Sequence, residues 1–125
     1  MIDEAKQKLA SDLIDLIQAS PSPFHVVRNI KAALIKQGFQ ELLPGEHWDL
    51  RRTSKYFTSK NNTAVIAFST GTGKIEEHGF RLIAAHTDSP CIKIKPNPEF
   101  AHSNKYLMLN TEVYGGPILS TCFDR

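Results

Sequence analysis

Long apolar runs are missing from this chain of 125 residues. No stretch approaches the roughly 18 consecutive apolar residues of a membrane-spanning helix, so no membrane partner is expected. The first eight residues, Met1 to Lys8, are polar and charged and contain no apolar core of a signal peptide. A cytoplasmic location is the default expectation. Cysteine is scarce. The two present, Cys91 and Cys122, form no C-x-x-C pair, and without export a disulfide is not predicted; buried free thiols are expected instead. The sequon Asn61-Asn62-Thr63 carries no meaning without secretion. An excess of one charge is missing too: 15 Lys and Arg face 13 Asp and Glu, for a net charge of +2. Arg51 and Arg52, with Lys55 and Lys60 nearby, are the only basic gathering and read as a solvated face. Nucleic acid is therefore not an expected partner, because its recognition needs a clustered basic surface.

Chemical motifs are sparse as well. No G-x-S-x-G elbow exists, and neither cysteine lies in an activating context. Gly71-Thr72-Gly73-Lys74 suggests a phosphate loop but fails as one. The Gly required five residues before the Gly-Lys pair is Phe68, and the Ser or Thr required after Lys74 is Ile75. A plain loop accounts for it better.

What is there is an ordinary globular composition, 41% hydrophobic and 22% charged, with a length that fits one domain. Asp3 to Ala19 has helical periodicity, with Leu9, Leu13, Leu16 and Ile17 on one face. Ser20-Pro21-Ser22-Pro23 stops it. Ser22 then caps a second helix with Pro23 in its first position. That helix runs to about Gln37 with Phe24, Val27, Ile30 and Leu34 inward, and Gly38 closes it. Alternation follows. Phe39 to Leu42 is a short strand, and Lys55 to Ser59 with Thr63 to Ser69 form a hairpin turning at Lys60-Asn61-Asn62. Thr70 to Gly79 reads as a loop and Phe80 to Ala85 as the central buried strand. Cys91 to Lys95 is a half-exposed strand ended by Pro96-Asn97-Pro98. Tyr106 to Tyr114 is another, closed by Gly115-Gly116-Pro117. Ile118 to Phe123 reads as the start of a further strand, which suggests a piece of a longer protein. The order, two helices and then a mixed sheet, gives an α/β class.

The stretch Leu82 to Pro90 concentrates the chemistry. An apolar run ends in His86, and Asp88 follows two residues later. Ligands of open α/β sheets collect beyond the carboxyl ends of the strands, which is where His86 falls. A metal-binding imidazole usually donates its second N–H to a carboxylate or carbonyl, and Asp88 is close enough to accept it. Two readings are open at this point: a metal ligand with its orienting carboxylate, or a strand-end His bonded to a loop Asp for structural reasons. The other histidines offer less. His25 reads as a surface or capping residue and His47, beside Trp48, as packing. His78 in Glu76-Glu77-His78-Gly79 reads as a solvated turn, and His102 has no partner at ligand spacing. A zinc site usually takes about three or four ligands, and no local cluster supplies them.

Three blocks together resemble the N-terminal part of the aspartyl-aminopeptidase family of di-zinc aminopeptidases. They are Ser20-Pro21-Ser22-Pro23-Phe24-His25; Ala85-His86-Thr87-Asp88-Ser89-Pro90 running on to Lys93 and Lys95-Pro96-Asn97; and Tyr114-Gly115-Gly116 with Ser120-Thr121 and Phe123-Asp124-Arg125. The resemblance spans nearly the whole chain, and its middle block is the specific one. It implies the N-terminal part of a zinc-peptidase α/β sandwich, truncated. Residues 1–105 would be the first segment of the peptidase domain. Residues 106–125 would begin an inserted β-rich domain that serves oligomerisation. His86 would bind one of two zinc ions and Asp88 would orient it; Asp124-Arg125 would close the segment with no catalytic role. The reaction would be hydrolytic removal of an N-terminal, acidic residue from a peptide substrate by a homo-oligomer. Family members are several-fold longer. The bridging Asp, the Glu general base, the remaining carboxylate and the second-zinc His would lie beyond position 125, so the isolated chain is expected to be inactive. Two other readings stand beside this one: a non-catalytic interaction module, and a piece of another zinc-peptidase-fold hydrolase sharing the His-x-Asp strand end.

Overall fold

The structure is a computed structural model that describes residues 3–102, 106–116 and 118. It divides into two compact units, Met1–Asp88 and Ser89–Arg125.

The first unit opens with α1 (Glu4–Gln18). Asp3 is its N-cap, and its carboxylate accepts from the Ala5 N–H at 3.2 Å, satisfying a donor that the helix itself leaves open. Lys8 and Asp12 pair one turn apart at 3.2 Å. The expected apolar face is present but uncovered: Leu9 is 71% exposed and Ile17 63%, and the helix buries no residue. Helix α2 (Pro23–Lys36) has Pro23 in its first turn as expected. The Ser20-Pro21-Ser22-Pro23 link is fastened by Asn29, whose side-chain amide donates to the Ala19 carbonyl and to Ser20 Oγ, both at 3.0 Å. Ser22 stands at the N-cap with extended backbone but makes no capping bond; its hydroxyl meets His25 Nδ1 at 2.7 Å instead.

A three-stranded sheet follows, ordered β1 (Gln40–Glu41), β2 (Lys55–Lys60) and β3 (Ala64–Ser69). β1 runs parallel to β2 and β2 antiparallel to β3, with Lys55 opposite Ser69 and Lys60 opposite Ala64. The hairpin turn uses Asn61 and Asn62 at φ 52° and 54°, a left-handed conformation that Asn tolerates and tight hairpins require. The core of this unit is small: Val27, Tyr56 and Phe57 are 2% exposed or less. Lys31, one turn beyond Val27, pairs with Glu41 and reaches Ser59 Oγ at 3.5 Å. Ser59 and Phe57 share one side of β2 because side chains alternate along a strand, so α2 lies over the Phe57 side. On the other side Tyr56 faces Phe68 across the ladder with ring centroids 5.7 Å apart. Its hydroxyl accepts from the Arg51 N–H at 2.9 Å. Phe24, expected to point inward, is instead 59% exposed; it stands in the first turn of α2, where the sheet does not reach it.

Two departures concern the stretch before the second unit. The Thr70–Gly79 segment, expected as a loop, contains a single helical turn, α3 (Ile75–His78). Phe80 to Ala85, expected as the central buried strand, joins no ladder among the described residues. Leu82 is 87% and Ile83 97% exposed. A strand exists only where a neighbour takes its N–H and C=O groups, and an apolar run is buried only where both of its sides are covered. Among the described residues, no neighbouring strand pairs with this run.

The second unit is a hairpin of β4 (Cys91–His102) and β5 (Tyr106–Tyr114), antiparallel, with Cys91 opposite Tyr114 and His102 opposite Tyr106. Pro96-Asn97-Pro98 was expected to end the first strand. The strand continues through it, and the register shifts between Ile94 and Glu99. Both prolines lack the N–H a ladder needs, and Asn97 takes φ 53°, so the tripeptide is extruded as a bulge while the pairing resumes beyond it. Lys93 Nζ lies 3.3 Å from the centre of the Tyr114 ring, a cation–π contact. Cys91 is exposed, contrary to the expectation of a buried thiol. Cys122 and most of the Ile118 to Phe123 run, as well as Asp124-Arg125, lie outside the described residues. No helix among the described residues is long and apolar enough to cross a membrane.

Candidate metal-ligand site

The unpaired segment after α3 ends at the surface of the first unit, and there it brings His86 and Asp88 together as the spacing predicts. The contact has two parts. His86 Nδ1 lies 2.7 Å from the main-chain carbonyl oxygen of Asp88 and 3.2 Å from its carboxylate Oδ1. Both partners are acceptors. A neutral ring must therefore carry its proton on Nδ1, donating to the Asp88 carbonyl, which leaves the Nε2 lone pair unshared. The His86 side chain is 82% exposed and that of Asp88 44%, so Nε2 faces solvent and is open to a ligand.

That is the donor chemistry of a metal-binding imidazole: one nitrogen fixed by a hydrogen bond, the other presenting its lone pair. It differs from the expectation in one respect. The shorter of the two contacts is to the backbone oxygen of Asp88, which the sequence could not indicate because any residue at position 88 supplies one. The site is also a single donor. Among the described residues no group of three or more His, Cys, Asp or Glu side chains is placed to hold a metal ion. His25 is engaged with Ser22, His47 is exposed in its loop, and His78 packs within 2.2 Å of where a side chain on Gly73 would begin. None of these three forms a group of three or more potential ligands with His86, and the side chain of His102 lies outside the described set.

One residue of the site went unnoticed in the sequence. The Thr87 hydroxyl donates to the Thr63 carbonyl at 2.8 Å, tying the His86-Thr87-Asp88 loop to the start of β3. A hydroxyl between two candidate site residues was the available signal, but its partner is 24 positions away and could not be read from spacing. In the second unit Gly115 takes φ 82°, and a side chain there would meet Pro90 Cα at 3.2 Å. The Tyr114-Gly115-Gly116 turn therefore approaches Pro90 as closely as only glycine allows.

Comparison with known proteins adds what one donor cannot. The profile of the family described as "Aminopeptidase I zinc metalloprotease (M18)" matches residues 16–125. The chain is 54% identical over 118 residues to a probable M18 family aminopeptidase 2 of Clostridium acetobutylicum, covering 94% of this chain and 27% of that protein. It is 40% identical to an aspartyl aminopeptidase of Caenorhabditis elegans, covering 95% of this chain and 25% of the relative. Among solved structures, that of the Ape4 and Nbr1 complex superimposes with a TM-score of 0.82 at 38% identity, over 93% of this chain and 22% of that one. The S. cerevisiae mApe1 dodecamer does so with a TM-score of 0.79 at 27% identity, over 91% of this chain and 27% of that one. The chain spans about a quarter of the length of the curated relatives it matches.

Proposed function

The chain belongs to the aminopeptidase I zinc metalloprotease (M18) family, and from that membership we propose that it forms one corner of a di-zinc aminopeptidase site to which it contributes His86. The observation that carries the proposal is the arrangement of the His86 ring, with Nδ1 held by Asp88 at 2.7 Å and Nε2 left outward. When bound, zinc supplies a lowered pKa for water and polarisation of the scissile carbonyl. This chain's part is to orient. His86 presents Nε2, and Asp88 holds the Nδ1 proton through its carbonyl and, at 3.2 Å, through its carboxylate. The general base and the remaining ligands belong to residues outside the chain.

The proposed reaction is release of an N-terminal residue from a peptide. Acidic residues are favoured, a preference supported by the aspartyl aminopeptidase among the relatives. The proposed assembly is a homo-oligomer, supported by the dodecamer among the structural neighbours. Residues 106–125 are proposed as the start of an inserted β-rich domain; β5 in that range pairs with β4 on both sides of the bulge.

The experiment is a graft. The 125 residues replace the matched quarter of the Clostridium acetobutylicum relative, and hydrolysis is followed on peptides beginning with Asp, Glu, Ala or Leu. We expect activity with preference for the acidic pair, its loss on His86→Ala, and no turnover by the 125-residue chain alone, since one imidazole cannot hold a catalytic zinc. Undiminished turnover by His86→Ala would end the proposal, and turnover by the chain alone would contradict its incompleteness.

A further inference from the structure

We propose that Thr87 is a positioning residue for His86, fastening the His86-Thr87-Asp88 loop to the turn of the β2–β3 hairpin; the inference rests on the reading of His86 as a metal ligand. The need for such a fastener follows from the fold. The loop lies at the end of a segment that joins no ladder among the described residues, and the His86 ring is 82% exposed. Packing therefore does little to aim it. A ligand must be held to within about 0.5 Å and some 10–20° of its working geometry by groups that are themselves fixed. The bond to Asp88 orients the ring relative to its own loop, but does not orient the loop relative to the rest of the unit.

The Thr87 hydroxyl supplies that second connection. It donates to the Thr63 carbonyl at 2.8 Å, and this acceptor is itself fixed. The Thr63 N–H is bonded to the Lys60 carbonyl at 3.1 Å across the turn, so the Thr63 residue is held from both sides. Asn61 and Asn62 shape that turn. The next residue, Ala64, is paired with Lys60, and β2 leads back to Tyr56 and Phe57 in the core. A continuous line of bonded groups thus runs from the core through the hairpin turn to Thr87, the residue adjoining His86. Threonine suits the task. Its branched Cβ restricts χ1, so a single hydrogen bond fixes the direction of the side chain, and with it the peptide that carries His86.

The test separates the hydroxyl from the shape of the side chain. In the 15N-labelled 125-residue chain, amide relaxation reports how ordered the 86–88 loop is. The expected result is a loop as ordered as the neighbouring β3 amides. Thr87→Val, which keeps the shape and removes the donor, should loosen the 86–88 amides while the β2–β3 amide signals and the His25 ring stay in place. Thr87→Ser should restore the order. In the graft, Thr87→Val should lower zinc affinity about 10-fold, the scale on which groups supporting a ligand act, and Thr87→Ser should recover it. Unchanged order of the 86–88 amides in Thr87→Val overturns the inference. So does a Thr87→Ser variant that behaves like valine, or loss of the hairpin signals in Thr87→Val, which would make the hydroxyl a support of the hairpin and not of the histidine. Zinc retained in full by His86→Ala in the graft, beside a loosened 86–88 loop in Thr87→Val, would instead remove the ligand reading and leave the fastening intact.

Discussion

At the scale of single residues the His86 ring is governed by two oxygens of one neighbour. This gives a graded expectation for Asp88. Removing a group that orients a metal-bound histidine typically costs about 10–100-fold in metal affinity. Asp88→Ala removes the carboxylate at 3.2 Å and keeps the main-chain carbonyl at 2.7 Å, so the loss in the graft should fall near the lower end, about 10-fold; competition with a zinc-binding dye measures it. A loss far beyond that range would mean that the carboxylate, not the carbonyl, holds the ring. Gly115 carries a separate expectation. With φ at 82° and Pro90 Cα 3.2 Å from any added Cβ, Gly115→Ala should destabilise the Tyr114-Gly115-Gly116 turn that follows β5 by about 1–3 kcal/mol. Faster amide exchange in β5 would register it, and unchanged exchange would contradict it. The His86–Asp88 pairing was legible because two residues of separation in a loop nearly guarantee contact. The carbonyl and Thr63 were not, because both depend on backbone geometry and one on a distant strand.

At the scale of elements, both helices and the β2–β3 hairpin were legible from local signals: Asp3 and Pro23 at helix starts, and Asn61-Asn62 at a left-handed turn. These signals act within a few residues and need no tertiary partner. Two readings failed where a partner decides the outcome. The apolar pattern of Phe80 to Ala85 describes a buried strand, yet no ladder in the described structure receives it. Pro96-Asn97-Pro98 is a stop signal locally, yet pairing on both sides carries β4 past it. The same dependence on few contacts makes the first unit fragile. Its buried core consists of Val27, Tyr56 and Phe57, and truncating a buried Phe costs about 3–5 kcal/mol. Small domains have little more than that to lose, so Phe57→Ala should abolish the dispersed β2–β3 amide spectrum of the chain. A variant that keeps that spectrum and its urea midpoint would show that the hairpin does not depend on this core.

At the scale of the whole molecule the exposed apolar side chains form a consistent set. The α1 face with Leu9, Leu13 and Ile17, the run with Phe80, Leu82 and Ile83, and Ile92, Ile94 and Leu107 on the second hairpin are all more than half exposed. Within each unit, exposed apolar side chains in such numbers are surface suited to being covered by other protein, and the relatives are about four times as long as the part this chain matches. The isolated chain should therefore bind a hydrophobic dye, and the graft should bind far less of it. A dye-silent isolated chain would show these faces to be covered in another way. One quantity bears on the central claim, that this segment contributes a single zinc ligand to a site completed elsewhere. It is the zinc content of the grafted protein by elemental analysis, with His86→Ala and His47→Ala measured alongside. Two zinc ions per chain are expected in the graft and in His47→Ala, and loss of at least one in His86→Ala; two zinc ions retained by His86→Ala would contradict a ligand role for His86.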